Sequence, residues 1–370
     1  MNTKEMLLYR NLDHQEIFDG MLKLINGDDR ELLFPTVNGL IELAASLGFD
    51  GNVWHSFLAY VLANNENAFS RHCEIRGHVE GSINEFALHD FRIFRELFQY
   101  DLDRLDAGLG TKCFSILKNY KSVTSSSKVY NQRIRNRIQE LAGNLAEAAD
   151  EQAFMDQVVQ FYREFGVGRF GLHKAFKVED RDGETKILPI TRTEHVTLDD
   201  LVGYEIQKKK LRENTEAFVQ GRKANNCLLY GDAGTGKSSS IKAILNQYYE
   251  QGLRMIEIYK YQFKDLTDVI AQIKNRNYKF IIYMDDLSFE DFEIEYKYLK
   301  AIIEGGLERR PENVLIYATS NRRHLIRETF ADKRQPDDEV HKSDTVQEKL
   351  SLAARFGVTI YYGMADKRGF

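Results

Sequence analysis

Hydrophobic side chains follow two different patterns along the chain, and the change comes near residue 166. Before it, apolar residues recur every three or four positions, which predicts amphipathic helices that include residues 128–141 and 151–165. A longer helix is predicted from Phe86 to Leu105, and its aromatic stripe of Phe91, Phe94 and Phe98 is expected to lie in the core. This part of the chain is therefore predicted to be an all-helical domain.

Five short apolar runs characterise the second half of the chain, and segments with helical spacing separate them. The runs cover residues 227–230, 253–258, 280–284, 314–318 and 358–362. Strands that alternate with helices predict an α/β fold, here with a five-stranded parallel sheet that is covered on both faces. Ligands of such sheets bind beyond the carboxyl ends of the strands, so the residues that follow each run are the candidates for chemistry.

A β-hairpin is predicted between these two parts. Residues 172–178 and 185–190 have the composition of strands, and Asp182-Gly183 between them is a common hairpin turn. The expected organisation is a helical domain at residues 1–166, a hairpin connector at 167–200 and an α/β domain at 201–370.

Residues 231–238 read Gly-Asp-Ala-Gly-Thr-Gly-Lys-Ser and match the phosphate-loop pattern G-x-x-x-x-G-K-[ST] in full. The match lies between a predicted strand and a predicted helix, where its mechanism requires it. Glycines let the backbone wrap around phosphates, and the helix that follows adds its positive end. Lys237 is predicted to reach the β- and γ-phosphates of ATP, and the Ser238 hydroxyl is predicted to bind Mg²⁺. The residues predicted to bind the nucleotide here are Gly231, Asp232, Ala233, Gly234, Thr235, Gly236, Lys237, Ser238 and Ser239.

The apolar run at residues 280–284 ends in two carboxylates, Asp285 and Asp286. A buried strand that delivers a carboxylate is the usual way to hold nucleotide-bound Mg²⁺ in phosphate-loop enzymes. The sequence therefore assigns Asp285 to the metal and Asp286 to the attacking water, which it would orient or deprotonate. Glu290 is the alternative base.

Two further catalytic candidates come from the last two strands. The run at residues 314–318 leads into polar residues, of which Asn321 is the first candidate and Thr319 the second for holding the attacking water or contacting the γ-phosphate. Arg355 precedes the fifth strand, and an arginine presented across a subunit boundary can stabilise transition-state charge on a neighbour's phosphate. A structural salt bridge is the alternative for Arg355.

Composition narrows the class of protein. The chain has 370 residues and a net charge of −5, so no global basic field suggests nucleic acid. Its three cysteines are isolated, which argues against a disulfide framework and fits a reducing cytosol. No stretch reaches the ~18 apolar residues of a membrane span. A cytoplasmic protein without a membrane partner is expected.

Several blocks of sequence resemble AAA+ ATPases. Residues 201–204, Leu-Val-Gly-Tyr, resemble the segment that packs against adenine in that superfamily, which implies that Val202, Gly203 and Tyr204 bind the base. The phosphate loop, the Asp285-Asp286 strand, Asn321 at the sensor 1 position and Arg355 at the arginine-finger position then follow in the AAA+ order.

The resemblance is more specific over roughly residues 170–362. The blocks NNCLLYGDAGTGKSSSIKA, YMDDLSFE and EKLSLAARFG are similar to a bacterial AAA-type ATP-binding family of unknown function, in which looser helices also precede the ATPase domain. Its members carry Asp, as at Asp286, where many AAA+ proteins carry a catalytic Glu. AAA+ domains usually continue into a helical lid, whereas this sequence ends at Phe370, so the lid is expected to be absent or the chain to be a fragment.

These observations favour an AAA-type ATPase that binds Mg-ATP, hydrolyses it to ADP and phosphate and moves an unknown protein partner. A homo-oligomer built through Arg355 is a further expectation. A nucleotide-dependent binding switch with little turnover is the first alternative. A DNA-associated AAA+ ATPase is the second, on the basic residues at 118–137 and 208–210, and nucleic acid is the less favoured partner. A small-molecule kinase lacks any recognisable acceptor signature.

Overall fold

The structure is a computed structural model that describes residues 5–27, 29–78, 80–122, 131–181, 183–289, 295–304, 311–321 and 352–364. The chain divides into two compact units, residues 1–172 and residues 173–370. Among the described helices, none combines the length and the apolar character that crossing a lipid bilayer requires.

The first unit is helical. Its helices are α1 (Gln15–Asn26), α2 (Leu33–Leu47), α3 (Val53–Asn64), α4 (Ala68–Arg76), α5 (Ile83–Gln99), α6 (Leu102–Leu109), α7 (Cys113–Lys118), α8 (Gln132–Ala146), α9 (Glu151–Phe165) and α10 (Gly168–Leu172). The helix predicted at residues 151–165 has those bounds. The helix predicted at 128–141 begins later, at Gln132, because the Asn131 side chain accepts the backbone N–H groups of Arg133 and Ile134 and caps it there.

The prediction of a single long helix from Phe86 to Leu105 is wrong, because the structure has two helices there, α5 and α6. Backbone at Tyr100 and Asp101 is extended, and the Asp101 side chain accepts the N–H of Asp103 as the cap of α6. A helix cap competes locally with helix continuation, whereas the apolar spacing on either side of Asp101 stays compatible with one helix.

Aromatic side chains fill the core of this unit. Phe91 and Phe94 on α5 are fully buried, as the aromatic stripe predicts, and they pack around Tyr9 with ring centroids 5.4 and 5.6 Å away. The Tyr9 hydroxyl lies 2.9 Å from that of Tyr162, which donates to the backbone oxygen of Leu62. Each buried phenol thus has a hydrogen-bond partner, so the aromatic core incurs little desolvation penalty at these groups.

The second unit is built on a seven-stranded sheet. Its strands are β1 (Ala175–Arg181), β2 (Glu184–Pro189), β3 (Cys227–Gly231), β4 (Leu253–Glu257), β5 (Lys279–Met284), β6 (Val314–Ser320) and β7 (Val358–Tyr362). They lie in the order β2-β1-β4-β5-β6-β3-β7. The five predicted strands, β3 to β7, are all mutually parallel, so their carboxyl ends meet at one edge.

The predicted hairpin forms, and it is part of this sheet. Strand β1 pairs with β2 in antiparallel register and lies parallel to β4, so the segment expected as a connector extends the sheet to seven strands. At the turn, Gly183 adopts a φ of +79° and donates its N–H to the Asp180 carboxylate. Asp182 lies outside the described residues.

The described helices of this unit are α11 (Glu205–Val219), α12 (Lys237–Tyr248), α13 (Leu266–Ile273) and α14 (Glu295–Glu304). Apolar residues of α11 and α12 share one buried cluster with alternate residues of the strands, among them Ile281, Tyr283 and Tyr317. Residues 232–236 connect β3 to α12, so α12 begins at the carboxyl edge of the sheet. That edge therefore brings together a helix start and the ends of six parallel strands.

Candidate nucleotide-binding site

The phosphate loop leaves β3 at Gly231 and enters α12 at Lys237. Gly234 and Gly236 have φ of +75° and +84°, a region that side chains disfavour. Gly231 is required for a second reason: a Cβ there would lie 2.0 Å from the backbone oxygen of Tyr362 on β7. A glycine-lined curve at a helix start is the shape of an anion-binding nest, so the loop fits a nucleotide phosphate.

Lys237 is the cation of this loop, and its side chain is only 6% exposed. Its ammonium donates to the backbone oxygens of Gly231 and Asp232, at 3.0 and 2.5 Å. Burial lowers the pKa of Lys237, while the nearby carboxylates of Asp286, Asp232 and Asp285 act in the opposite direction. The Lys237 charge is therefore influenced by the two carboxylates that follow β5 as well as by that of Asp232.

Ser238 and Asp285 meet directly. The Ser238 hydroxyl donates to Asp285 Oδ1 at 2.7 Å, and the Thr319 hydroxyl donates to the same oxygen at 2.6 Å. Burial on its own raises the pKa of the Asp285 carboxyl, but the hydrogen bonds from Thr319 and Ser238 outweigh it and hold that pKa below its usual value. An ionised carboxylate beside a hydroxyl is a suitable pair of oxygen ligands for Mg²⁺.

Asp286 is exposed and its backbone is left-handed, with a φ of +48°. Few residues other than glycine adopt this region, and aspartate is one of those that do so most readily. The Asn321 side-chain amide donates to Asp286 Oδ1 at 2.8 Å, and the backbone N–H of Asp286 donates to the Thr319 hydroxyl at 2.8 Å. Both candidates from the end of β6 therefore hold the carboxylates that follow β5.

Thr319 is more central than its sequence position suggested. Its hydroxyl donates to the Asp285 carboxylate while accepting from the Asp286 backbone, so it contacts both aspartates at once. The sequence-based prediction placed Thr319 second to Asn321 because it considered only which side chain could reach a water molecule or a phosphate. The signal that was present is a hydroxyl side chain directly after the apolar run at residues 314–318.

The segment expected to face the base lies close to the phosphate loop. A methyl group of Leu201 is 3.4 Å from the position that a Gly236 Cβ would take. Val202 follows with 79% of its surface exposed, and both Gly203 and Tyr204 have left-handed backbones. An exposed apolar side chain next to a phosphate loop is compatible with packing against a base, and the roles of Val202, Gly203 and Tyr204 stay predictions.

Arg355 forms an ion pair with Glu304 at the end of α14. The structure thus provides the intramolecular salt bridge that was the alternative for this residue, and a role on a neighbouring subunit stays a prediction. Glu290, the alternative base, lies outside the described residues, as do Arg322, Arg323 and His324 next to Asn321.

The Asp232 side chain contacts another part of the chain. Its carboxylate accepts the backbone N–H of Met364, just beyond β7, at 2.8 Å. Its own N–H donates to the backbone oxygen of Tyr362 at 3.0 Å. The sequence did not reveal this link, because 132 residues separate Asp232 from Met364 and no local pattern connects them.

Comparison with protein families gives a match over residues 171–370, to a family described as "Protein of unknown function (DUF815)". The chain belongs to the DUF815 family. The DUF815 match includes the phosphate loop and the carboxylates after β5, and it confirms the resemblance to a family without an assigned function. The predicted fold class is confirmed as well: an α/β core with a mainly parallel sheet follows a helical region.

No curated protein matches this DUF815 member. Among solved structures, it is similar to the Holliday junction branch migration motor RuvB of Thermotoga maritima, with 18% identity over 45% of this chain and 47% of that chain and a TM-score of 0.31. DnaI is similar at 19% identity over 47% of this chain and 90% of that chain, also with a TM-score of 0.31. The chain spans about half the length of RuvB.

Proposed function

We propose that this protein binds Mg-ATP at the carboxyl edge of its sheet and hydrolyses it to ADP and phosphate, so that the cycle changes the conformation of a protein partner. One observation carries the proposal. The Ser238 hydroxyl and the Asp285 carboxylate, 47 residues apart in sequence, lie 2.7 Å from each other beside the buried Lys237 and the glycine loop. This is the set of groups that Mg-nucleotide binding needs.

The donors in this set match the charges of the ligand. Backbone N–H groups of the loop and the Lys237 ammonium would bind the β- and γ-phosphates. Ser238 and Asp285 would hold Mg²⁺, which supplies neutralisation of the phosphate charge. Thr319 keeps the Asp285 carboxylate oriented and ionised through a hydrogen bond of 2.6 Å.

Asp286 is proposed to orient the attacking water and to accept its proton. The carboxylate is exposed, so water reaches it, and the hydrogen bond from Asn321 restricts its rotation. A carboxylate that is held in one orientation can accept a proton in the geometry of attack without first reorganising. Asn321 is then a second polar group near the same water.

Lys237→Ala tests the proposal. Removing the ammonium should weaken ATP binding roughly 100-fold or more, because a buried cation that faces phosphate contributes several charge-assisted hydrogen bonds. Lys242→Ala on the same helix is the matched control, since Lys242 is half-exposed and pairs with Glu194 at 3.2 Å. Calorimetry with ATP and Mg²⁺ gives the affinities. Unchanged ATP affinity in Lys237→Ala would refute the proposal.

A binding switch with little turnover is the second candidate, and the geometry of Asp286 favours it. The aspartate side chain is one methylene shorter than that of glutamate, so its carboxylate reaches less far towards a water at the γ-phosphate. Steady-state phosphate release separates the two candidates. Turnover at background level, combined with intact Mg-ATP binding, would identify the switch and exclude the hydrolytic cycle.

Two kinds of partner are considered, a second copy of the chain and nucleic acid. A homo-oligomer in which Arg355 faces a neighbour's nucleotide requires the ion pair with Glu304 to open. Nucleic acid remains the less favoured partner, because within the described part of the basic segment Lys118 pairs with Asp103 at 2.7 Å and Arg137 lies over the Phe165 ring. A concentration-dependent specific rate that Arg355→Ala abolishes would support the oligomer.

A further inference from the structure

The last two residues of β7 and the two residues after it contact both the phosphate loop and the 202–204 segment of the candidate nucleotide site. We refer to residues 361–364 as the β7 end. Towards the phosphate loop, the backbone oxygen of Tyr362 accepts from Asp232, and the Met364 N–H donates to the Asp232 carboxylate. The Tyr362 hydroxyl also donates to Ser240 on α12 at 3.1 Å, and Ser240 donates in turn to the Gly236 backbone oxygen at 2.9 Å. The β7 end therefore holds the loop at its beginning and at its last glycine.

The same four residues hold the segment that is expected to face the base. The Tyr204 hydroxyl donates to the backbone oxygen of Gly363 at 2.9 Å, and the Tyr204 ring packs on Tyr362 with centroids 5.0 Å apart. Gln207 in the first turn of α11 donates to the Tyr361 backbone oxygen at 3.0 Å. Tyr204 has a φ of +62°, an unfavourable backbone that persists only when surrounding contacts maintain it.

Through these contacts the Asp232 carboxylate links the phosphate loop to the β7 end. Asp232 occupies a position of the phosphate-loop pattern that accepts any residue, so the pattern requires no acid there. In this chain its side chain accepts a backbone N–H that lies 132 residues away, while its own N–H binds the same β7 end. A glycine-rich loop is costly to order, and contacts that order it before a ligand arrives reduce that cost at binding.

We propose that Asp232 and Tyr204 are positioning residues, which join the phosphate loop and the 202–204 segment through the β7 end so that the two halves of the site become ordered together. The proposal rests on the proposed function for its ligand, but the linkage itself is a property of the chain without nucleotide. Neither side chain needs to touch phosphate or base to act in this way.

Hydrogen exchange of the nucleotide-free protein tests the linkage first. Asp232→Ala removes the acceptor of the Met364 N–H, and exchange in peptides that cover residues 361–364 should accelerate roughly tenfold. Peptides around residues 203–207 should accelerate as well, because Tyr204 and Gln207 bind the same backbone. Asp232→Asn keeps an acceptor oxygen and should restore most of the protection. Asp199→Asn, at an exposed aspartate of the same unit, is the control. Acceleration confined to the phosphate loop would overturn the proposal.

The second experiment measures the binding of two ligands, ATP and inorganic tripolyphosphate, each in the presence of Mg²⁺. Tyr204→Phe removes only the hydroxyl bond to Gly363. It should weaken ATP and also tripolyphosphate, each roughly fivefold to tenfold, although tripolyphosphate has no base for the 202–204 segment to contact. Tyr361→Phe is the control, since its hydroxyl makes no hydrogen bond with a described residue.

The outcomes separate the two proposals. If Tyr204→Phe weakens ATP and leaves tripolyphosphate unchanged, the halves of the site act independently and the inference is wrong, while the ATPase proposal stands. If the wild-type protein binds neither probe, the ATPase proposal fails, and the exchange experiment alone then decides whether Asp232 and Tyr204 are linked through the β7 end.

Discussion

Two aspartates, one in each unit of the chain, differ in the kind of donor that their carboxylates accept. Asp90 on α5 is fully buried and accepts the backbone N–H groups of residues 7–9 at 2.8–2.9 Å. Asp285 after β5 is exposed and accepts the hydroxyls of Ser238 and Thr319. Backbone donors cannot turn away, whereas hydroxyl groups rotate freely. The donors of Asp90 are therefore fixed by the fold, whereas under the proposed function Asp285 would exchange a hydroxyl donor for Mg²⁺.

The largest effect that tests this comparison concerns Asp90. Asp90→Asn removes the charge and places an amide N–H₂ among backbone donors. It should lower the free energy of unfolding by about 3 kcal/mol, since hydrogen bonds to buried charged groups are among the strongest. Urea denaturation measures the loss. ATP affinity of the folded protein should stay unchanged, and a selective loss of ATP binding would contradict the structural role.

Asp285→Asn should show the reverse pattern. Mg²⁺-dependent ATP affinity or turnover should fall roughly 100-fold, the effect of losing a charged metal ligand. The free energy of unfolding should change by less than about 1 kcal/mol, because the carboxylate is exposed. Magnesium titrations at fixed ATP give the first quantity and urea denaturation the second. A loss of stability as large as that of Asp90→Asn would remove the distinction between the two aspartates.

His173 adds a third titratable group to the comparison, one whose protonated form the folded state destabilises. Burial and the neighbouring Arg254 guanidinium lower the pKa of His173 to about 4, against about 6.5 in an unfolded chain. Between these pH values the unfolded state binds more protons, so the free energy of unfolding falls as the pH is lowered through this window and levels off below about 4. His173→Gln should remove roughly 3 kcal/mol of this loss at pH 4. Unfolding curves from pH 7 to pH 4 test it, and parallel pH profiles of wild type and variant would refute it.

Thr319→Val gives the smallest expected effect. The substitution preserves shape but removes the hydroxyl between Asp285 and the Asp286 backbone, so kcat should fall roughly tenfold with a smaller change in ATP affinity. Thr319→Ser keeps the hydroxyl and should restore most of the rate. If Thr319→Val reduces affinity and kcat equally, Thr319 acts on ligand binding and not on the orientation of the carboxylates.

Local pattern was sufficient for the parts of the site that are contiguous in sequence. The phosphate loop and the two carboxylates after β5 follow from a strand–loop–helix motif and from a buried strand that ends in acids. The parallel sheet follows from five apolar runs. Each of these features depends on neighbouring residues, so sequence spacing alone predicts it.

Features that depend on tertiary contacts were missed. The break between α5 and α6 is the local exception, because the Asp101 side chain caps α6 through the N–H of Asp103 while the apolar spacing continues across it. The link from Asp232 to Met364 joins residues that follow two adjacent strands, β3 and β7, and Thr319 contacts the two aspartates only because β6 is paired with β5. Register between strands, which sequence does not specify, decides both.

The left-handed backbone at position 286 also determines how an unknown interactor could be captured. Glutamate would offer a longer acid but tolerates this backbone region poorly, whereas asparagine adopts it about as readily as aspartate. Asp286→Asn should therefore leave the loop in place, keep nucleotide loaded and stall the cycle at the stage when the interactor is bound. Affinity capture with that variant, compared with and without ATP, would then enrich the proteins that associate only during the loaded stage.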